Sequence, residues 1–119
     1  MRDWPPPSVE RLHEGVLGSV GSVELLLRLR ADGDRPHTVE ELCVALQSPA
    51  NWTERELATL ARARLVSRDD GTGWRYSPAT TALATAVDDL ADAWQRDSRA
   101  VSRWVFAPRR RRSRRRTGR

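Results

Sequence analysis

The sequence predicts a mainly α-helical fold with one small β-hairpin, and three local patterns lead to this prediction. Thr38-Val-Glu-Glu41 has the form of a capping box, in which the Thr hydroxyl and the Glu carboxylate each accept a backbone N–H at a helix start. Ser48-Pro49 interrupts this helix because proline disfavours helical geometry in the preceding residue, and Asn51 or Thr53 can cap a second helix. Asp69-Asp-Gly-Thr-Gly73 then separates two short runs of strand-forming residues, as in a hairpin.

The order helix, turn, helix and hairpin is that of a winged helix-turn-helix motif. The first helix is expected to begin near Val39. The second, with Leu57 and Leu60 at helical spacing, is expected over about residues 51 to 64, and the hairpin, or wing, over about residues 65 to 77. The predicted fold class is therefore a winged helix-turn-helix with a long C-terminal helix.

The chain before this motif is expected to add one short helix and the central helix of the core. Residues 1 to 18 are interpreted as a Pro-rich lead-in followed by a short helix. Ser19 or Ser22 can cap the next helix, which is too apolar to be exposed on every side. Residues 19 to 78 are therefore taken as the winged helix-turn-helix domain.

A long helix is expected over residues 79 to 107, capped by Thr80 or Thr81. Its apolar residues recur at a spacing near 3.5, which is typical of a seam that packs on another helix. Because such a helix is longer than this domain needs, part of it is expected to project and form a homodimer. The residues assigned to the dimer seam are Leu90, Trp94, Val101 and Trp104. In the alternative, the helix lies across its own domain.

The charge of the chain divides it into a mildly acidic body and a basic tail. Residues 1 to 107 hold 13 Arg against 16 acidic residues, a net charge of −3, whereas residues 108 to 119 hold 8 Arg and no acid, a net charge of +8. The tail has no apolar residue with which to pack, so it is expected to be disordered when free. It is also expected to bind nucleic acid without regard to sequence, the alternative being an ordinary solvated terminus.

Membrane insertion, secretion and catalysis find little support in the sequence. The chain has no apolar run of membrane-spanning length and no secretion signal, so a cytoplasmic protein is expected. His13, His37 and Cys43 are too few to form a metal site or a nucleophile with its base. We therefore expect no enzyme activity, no cofactor and no metal. His37 is interpreted as a loop residue and Cys43 as a small buried one.

Several segments resemble the MarR-like class of bacterial winged-helix transcriptional regulators. The likeness covers about residues 19 to 106, and it rests on the helix Ser19 to Leu29, on Thr38-Val-Glu-Glu-Leu42, on Leu60-Ala-Arg-Ala-Arg-Leu-Val66 and on the wing. Such proteins usually have Gly before the Leu-Val pair as a left-handed helix stop, and this chain has Arg64 there. The resemblance implies a DNA-binding transcriptional regulator whose partner is double-stranded DNA.

The resemblance also implies which side chains meet the DNA. The helix over residues 51 to 64 would enter the major groove, with Asn51 and Arg55 at base edges and Thr59 and Arg62 at phosphates. Side chains of the wing strands would reach the minor groove or its phosphates. The assigned DNA-binding residues are Asn51, Trp52, Arg55, Thr59, Arg62, Arg68, Arg75, Arg109, Arg110, Arg111, Arg112, Arg114, Arg115 and Arg116.

Acidic neighbours favour a competing interpretation. Glu54 and Glu56 oppose the charge of Arg55 and Arg62, so this helix face would then be an ordinary solvated surface, and Trp52 would plug the turn. The alternative function is a winged-helix adaptor that binds a protein partner, with the tail supplying non-specific nucleic-acid binding.

The tail generates the first testable prediction. Deleting residues 109 to 119 should weaken binding to random duplex DNA strongly at low salt, because the remaining body carries a net negative charge. The log-log salt slope should fall by up to about 7, since each neutralised phosphate contributes about 0.9. An electrophoretic shift assay across salt concentrations measures both effects, and an unchanged slope after deletion would mean that the tail takes no part.

Overall fold

A computed structural model describes residues 4–13, 16–33, 35–69, 71 and 73–106. These residues form, in chain order, α1 Pro7–His13, α2 Val20–Ala31, α3 Val39–Leu46, α4 Ala50–Arg62, β1 Val66–Arg68, β2 Trp74–Tyr76, α5 Thr81–Arg96 and α6 Ser98–Phe106. Strands β1 and β2 pair antiparallel, with Val66 opposite Tyr76 and Arg68 opposite Trp74. The prediction of a mainly helical chain with one small hairpin is confirmed.

Local sequence explains how three of the helices begin. At the start of α3, the Thr38 hydroxyl accepts the Glu41 N–H and the Glu41 carboxylate accepts the Thr38 N–H, both at 3.1 Å, so the capping box is complete. Ser19 caps α2 and Thr80 caps α5, each by accepting the backbone N–H three residues further on. These are caps that the sequence predicts.

The ends of α3 and α4 share a left-handed residue that is not glycine. Gln47 has φ 55° and Arg64 has φ 66°. The Arg64 N–H donates to the Ala61 carbonyl at 2.9 Å, and the Leu65 N–H donates to the Leu60 carbonyl at 3.0 Å. This pair of bonds is the Schellman pattern, so Arg64 itself provides the helix stop for which glycine is the usual residue.

Helix α2 lies at the centre of the core. Val23, Leu25, Leu26 and Leu29 are fully buried, and the helix contacts α3, β2 and α6. Arg30 also pairs with Asp88 of α5 at 3.0 Å. Other helices and the start of the hairpin complete this core through Val9, Leu12, Leu42, Leu57, Leu60, Leu65, Val87, Leu90, Val101 and Val105.

His37 extends the hairpin, so its interpretation as a plain loop residue is wrong. Its backbone N–H and C=O each hydrogen-bond to Trp74 at 2.8 Å, which adds a one-residue third strand beside β2. The His37 side chain is 7% exposed, and its Nε2 lies 2.7 Å from Asp32 Oδ2. The approach is close, since a Cβ added at Gly73 would lie 2.9 Å from the Pro36 Cβ. Glycine at position 73 therefore lets the hairpin reach this strand.

The prediction of a single C-terminal helix over residues 79 to 107 is wrong, because the segment forms two helices. Asp97, with φ −158° and ψ 81°, ends α5, and its carboxylate accepts the Ala100 N–H in the first turn of α6 at 3.1 Å. Helix α6 then folds back to contact α5 and α2. At its end, the Trp104 ring meets the Trp4 ring edge-on, with centroids 5.5 Å apart. The segment therefore packs on its own domain.

The residues assigned to a dimer seam lie in or against the core of their own chain. Leu90 and Val101 are fully buried, and Trp94 and Trp104 are partly buried against the core. A side chain that its own chain covers completely has no surface left for a second copy. The assignment of Leu90 and Val101 to an interface is therefore corrected, and these residues stabilise the single chain.

Replacing Val101 with Ala tests this correction. The variant should lower the free energy of unfolding by about 1 to 3 kcal/mol, because it removes fully buried apolar surface and leaves a cavity. Thermal or urea unfolding measures the loss, and light scattering should show an unchanged molar mass. If the variant instead changed the mass while the stability stayed the same, Val101 would face another chain after all.

Candidate nucleic-acid interface

A buried hydroxyl holds the turn between α3 and α4. Thr53 is fully buried, its Oγ1 donates to the Pro49 carbonyl at 2.9 Å, and it lies 2.8 Å from the Ser48 Oγ. The expected caps at Asn51 and Thr53 are wrong, because α4 already begins at Ala50 with Pro49 as its N-cap and no side-chain cap. Thr53 instead fixes the angle between the two helices from inside the turn.

The inner side of α4 is attached to the first turn of α2. A Cβ on Gly21 would lie 2.9 Å from the Trp52 ring, so the indole packs directly on the glycine. One turn further along α4, the Glu56 carboxylate accepts a hydrogen bond from the buried Ser22 hydroxyl at 2.8 Å. Trp52 is half-buried in this contact, which favours the interpretation that it plugs the turn over its assignment to DNA binding.

The outward face of α4 carries two of the arginines that the sequence assigns to DNA. Asn51, Glu54, Arg55 and Arg62 are exposed, and Thr59 is half-buried between them. The Thr59 hydroxyl donates to the Arg55 carbonyl at 3.1 Å and lies 3.4 Å from the Arg62 guanidinium. Because Glu56 is directed to Ser22, Glu54 is the acid that shares this face, and two Arg against one Glu leave it with a net charge of +1.

The hairpin holds its two assigned arginines differently. Arg68 is exposed, and its guanidinium carbon lies 5.5 Å from the centroid of the Trp74 ring, a cation–π geometry that leaves the charge available. Arg75 is half-buried, with its Nε 3.3 Å from Asp69 Oδ1, so part of its charge is neutralised within the hairpin. Of the two, Arg68 is better placed to meet an external phosphate.

Sequence reasoning missed two contributors to this surface. Arg64 is exposed between α4 and β1, whereas the sequence indicates only its place at the end of the helix. Ser22 directs Glu56 inward, and no local signal could show this because 34 residues separate the two. The assigned tail residues, Arg109, Arg110, Arg111, Arg112, Arg114, Arg115 and Arg116, lie outside the described residues.

Comparison with known proteins adds no relative to this description. No protein-family model, no curated protein and no solved structure matches the chain. Within the part of the chain that the structure describes, no group of three or more His, Cys, Asp or Glu side chains is arranged to hold a metal ion. None of the described helices combines the length and the apolar character that crossing a membrane requires.

Tyr76 joins the base of the hairpin to α2 and α5. Its hydroxyl is buried without a hydrogen-bond partner among the described residues. Burial raises the pKa of Tyr76 above the ordinary 10.0, and the Asp88 carboxylate raises it further, against an opposing effect of Arg30. The folded chain therefore favours the neutral phenol.

The raised pKa of Tyr76 predicts a loss of stability in alkali. The contribution of neutral Tyr76 to folding is fully present below its ordinary pKa of 10.0 and is lost as pH rises through the higher folded value. Tyr76 is the single tyrosine, so the absorbance of tyrosinate follows this ionisation directly. Tyr76→Phe should lose less stability over the same pH range. A tyrosine that titrates in the folded chain at its ordinary value would contradict the prediction.

Proposed function

We propose that residues 20 to 76 form a winged helix-turn-helix that binds double-stranded DNA and serves as a transcriptional regulator in the cytoplasm. The observation that carries the proposal is the outward face of α4, which exposes Arg55 and Arg62 beside a hairpin with an exposed Arg68. An α-helix of this kind fits the major groove of B-DNA. The strand formed by His37 supports the proposal, since a third strand braces the hairpin as a wing.

The exposed side chains suggest a division of roles. Asn51 and Arg55 are in the first half of α4 and carry the paired donors and acceptors that adenine and guanine edges require. Arg62, seven residues and about 10 Å further along the helix, is placed for a phosphate, as is Arg68 on the hairpin. Trp52 contributes by packing rather than by contact with DNA.

The acidic side chains on the same surface favour the adaptor as the second candidate. Glu54 is exposed in the first turns of α4, and Asp69 flanks the tip of the hairpin. Both carboxylates would repel a DNA phosphate unless they lie over the centre of a DNA groove, whereas basic side chains of a protein partner could form ion pairs with them. The regulator and the adaptor differ in what they require of Arg55, because only the recognition of a DNA base sequence needs two hydrogen bonds donated by its guanidinium.

Replacing Arg55 and Arg62 separately with Ala separates the candidates. A preferred site is first selected from a random duplex library with the full chain. Arg55→Ala should then cost about 1 to 3 kcal/mol on that site and leave binding to random DNA nearly unchanged, because a base contact is lost. Arg62→Ala should weaken both almost equally, because a phosphate contact carries no sequence information.

Arg11→Ala is the matched control, since Arg11 is exposed on α1, which packs on α5 rather than on α4. It removes the same charge and should change neither affinity appreciably. If no sequence is enriched, or if Arg55→Ala binds the enriched site as well as the wild type does, the regulator is rejected and the adaptor becomes the better explanation.

A further inference from the structure

An open groove of about 500 Å³ lies between α2, the end of α3 and α5. Leu27, Leu46 and Trp94 line it with apolar surface, and each is only partly buried against the core. Ala31 and Ala45 are exposed there and keep the groove shallow and accessible. None of these residues belongs to the outward face of α4, so the groove is a separate surface.

The rim of the groove carries two opposite charges on α2 that stay unpaired within the described residues. Glu24 and Arg28 are exposed one helical turn apart, and neither forms an ion pair in that part of the chain. The groove therefore presents an apolar floor and one unpaired charge of each sign.

This pattern is self-complementary. In a two-fold contact, if residue i of one copy contacts residue j of the other, then residue j of the first copy also contacts residue i of the second. Two antiparallel copies of α2 would therefore set Glu24 of each copy against Arg28 of the other, forming two ion pairs around the apolar floor. A partner of a different kind would have to supply both charges independently.

We propose that this groove is the contact surface for a second copy of the chain, with α2 packed antiparallel on α2. The small side chain of Ala31 lets the two helices approach, and Trp94 closes one side of the contact. The contact replaces the seam through Leu90 and Val101, which the core of one chain already buries. The proposed contact between two copies does not depend on the proposed DNA binding.

Sedimentation velocity or light scattering from roughly 1 µM to 1 mM tests the proposal, since weak homodimers dissociate in this range. The wild type should be dimeric at the upper end. Ala31→Arg should leave a monomer, because a long charged side chain would fill the contact. Circular dichroism should show each variant folded, since every substituted position is exposed on a helix.

Charge reversal gives the sharper measurement. Arg28→Glu and Glu24→Arg should each weaken the dimer by roughly tenfold or more, because each sets like charges against each other twice. An equal mixture of these two variants should recover the dimer, since one copy then carries two positive and the other two negative side chains. Arg11→Glu, on the exposed surface of α1, is the control and should leave association unchanged.

Three results would overturn the proposal. The first is a wild type that stays monomeric over the whole range, which would leave the groove to a different partner. The second is a dimer that persists in Ala31→Arg, which would place the contact elsewhere. The third is a mixture of the two reversed variants that stays monomeric, which would exclude a two-fold contact between Glu24 and Arg28.

Discussion

The burial of α2 is the constraint on which the other surfaces depend. Val23, Leu25, Leu26 and Leu29 of this helix are covered completely, so neighbouring elements must pack against most of its surface. Helix α4 is attached to the first turn of α2, where Trp52 contacts Gly21 and Glu56 contacts Ser22. Helix α5 is attached to the last turn of α2 by the ion pair between Asp88 and Arg30. What these neighbours leave uncovered is one strip of α2, and that strip lines the groove.

The same attachment determines what α4 presents to solvent. Trp52 and Glu56 are one turn apart and both turn towards α2, so the opposite side of the helix must face outward. A carboxylate that would otherwise weaken the positive potential of that side is used in a hydrogen bond to Ser22. The contact that packs α4 against α2 therefore also sets the net charge of the outward face of α4.

Structural features that depend on only a few neighbouring residues could be predicted from the sequence. The capping box at Thr38 joins residues three apart, and the hairpin joins two short segments across a loop with Gly71 at φ 81°. The exposed arginines of α4 follow from helical spacing alone. Helical spacing alone does not place Trp52, because it says nothing about a glycine on another helix that admits the ring.

Features that depend on distant parts of the chain could not be predicted in this way. An apolar period of 3.5 shows that a helix packs on something, but it does not distinguish a second copy from the chain's own core. The turn at Asp97 and the contact of Trp4 with Trp104 decide this question, and they involve both ends of the described chain. Thr53 likewise had the sequence of a cap and became a buried anchor of the turn instead.

The two left-handed helix ends have a consequence for heat resistance. Side chains other than glycine cost roughly 1 to 2 kcal/mol in this conformation, and Gln47 and Arg64 both adopt it. The ends of α3 and α4 therefore have one position each at which the backbone geometry already suits glycine better than the side chain present. Glycine at either position would remove that conformational cost without any change in the core or in the surface charge elsewhere.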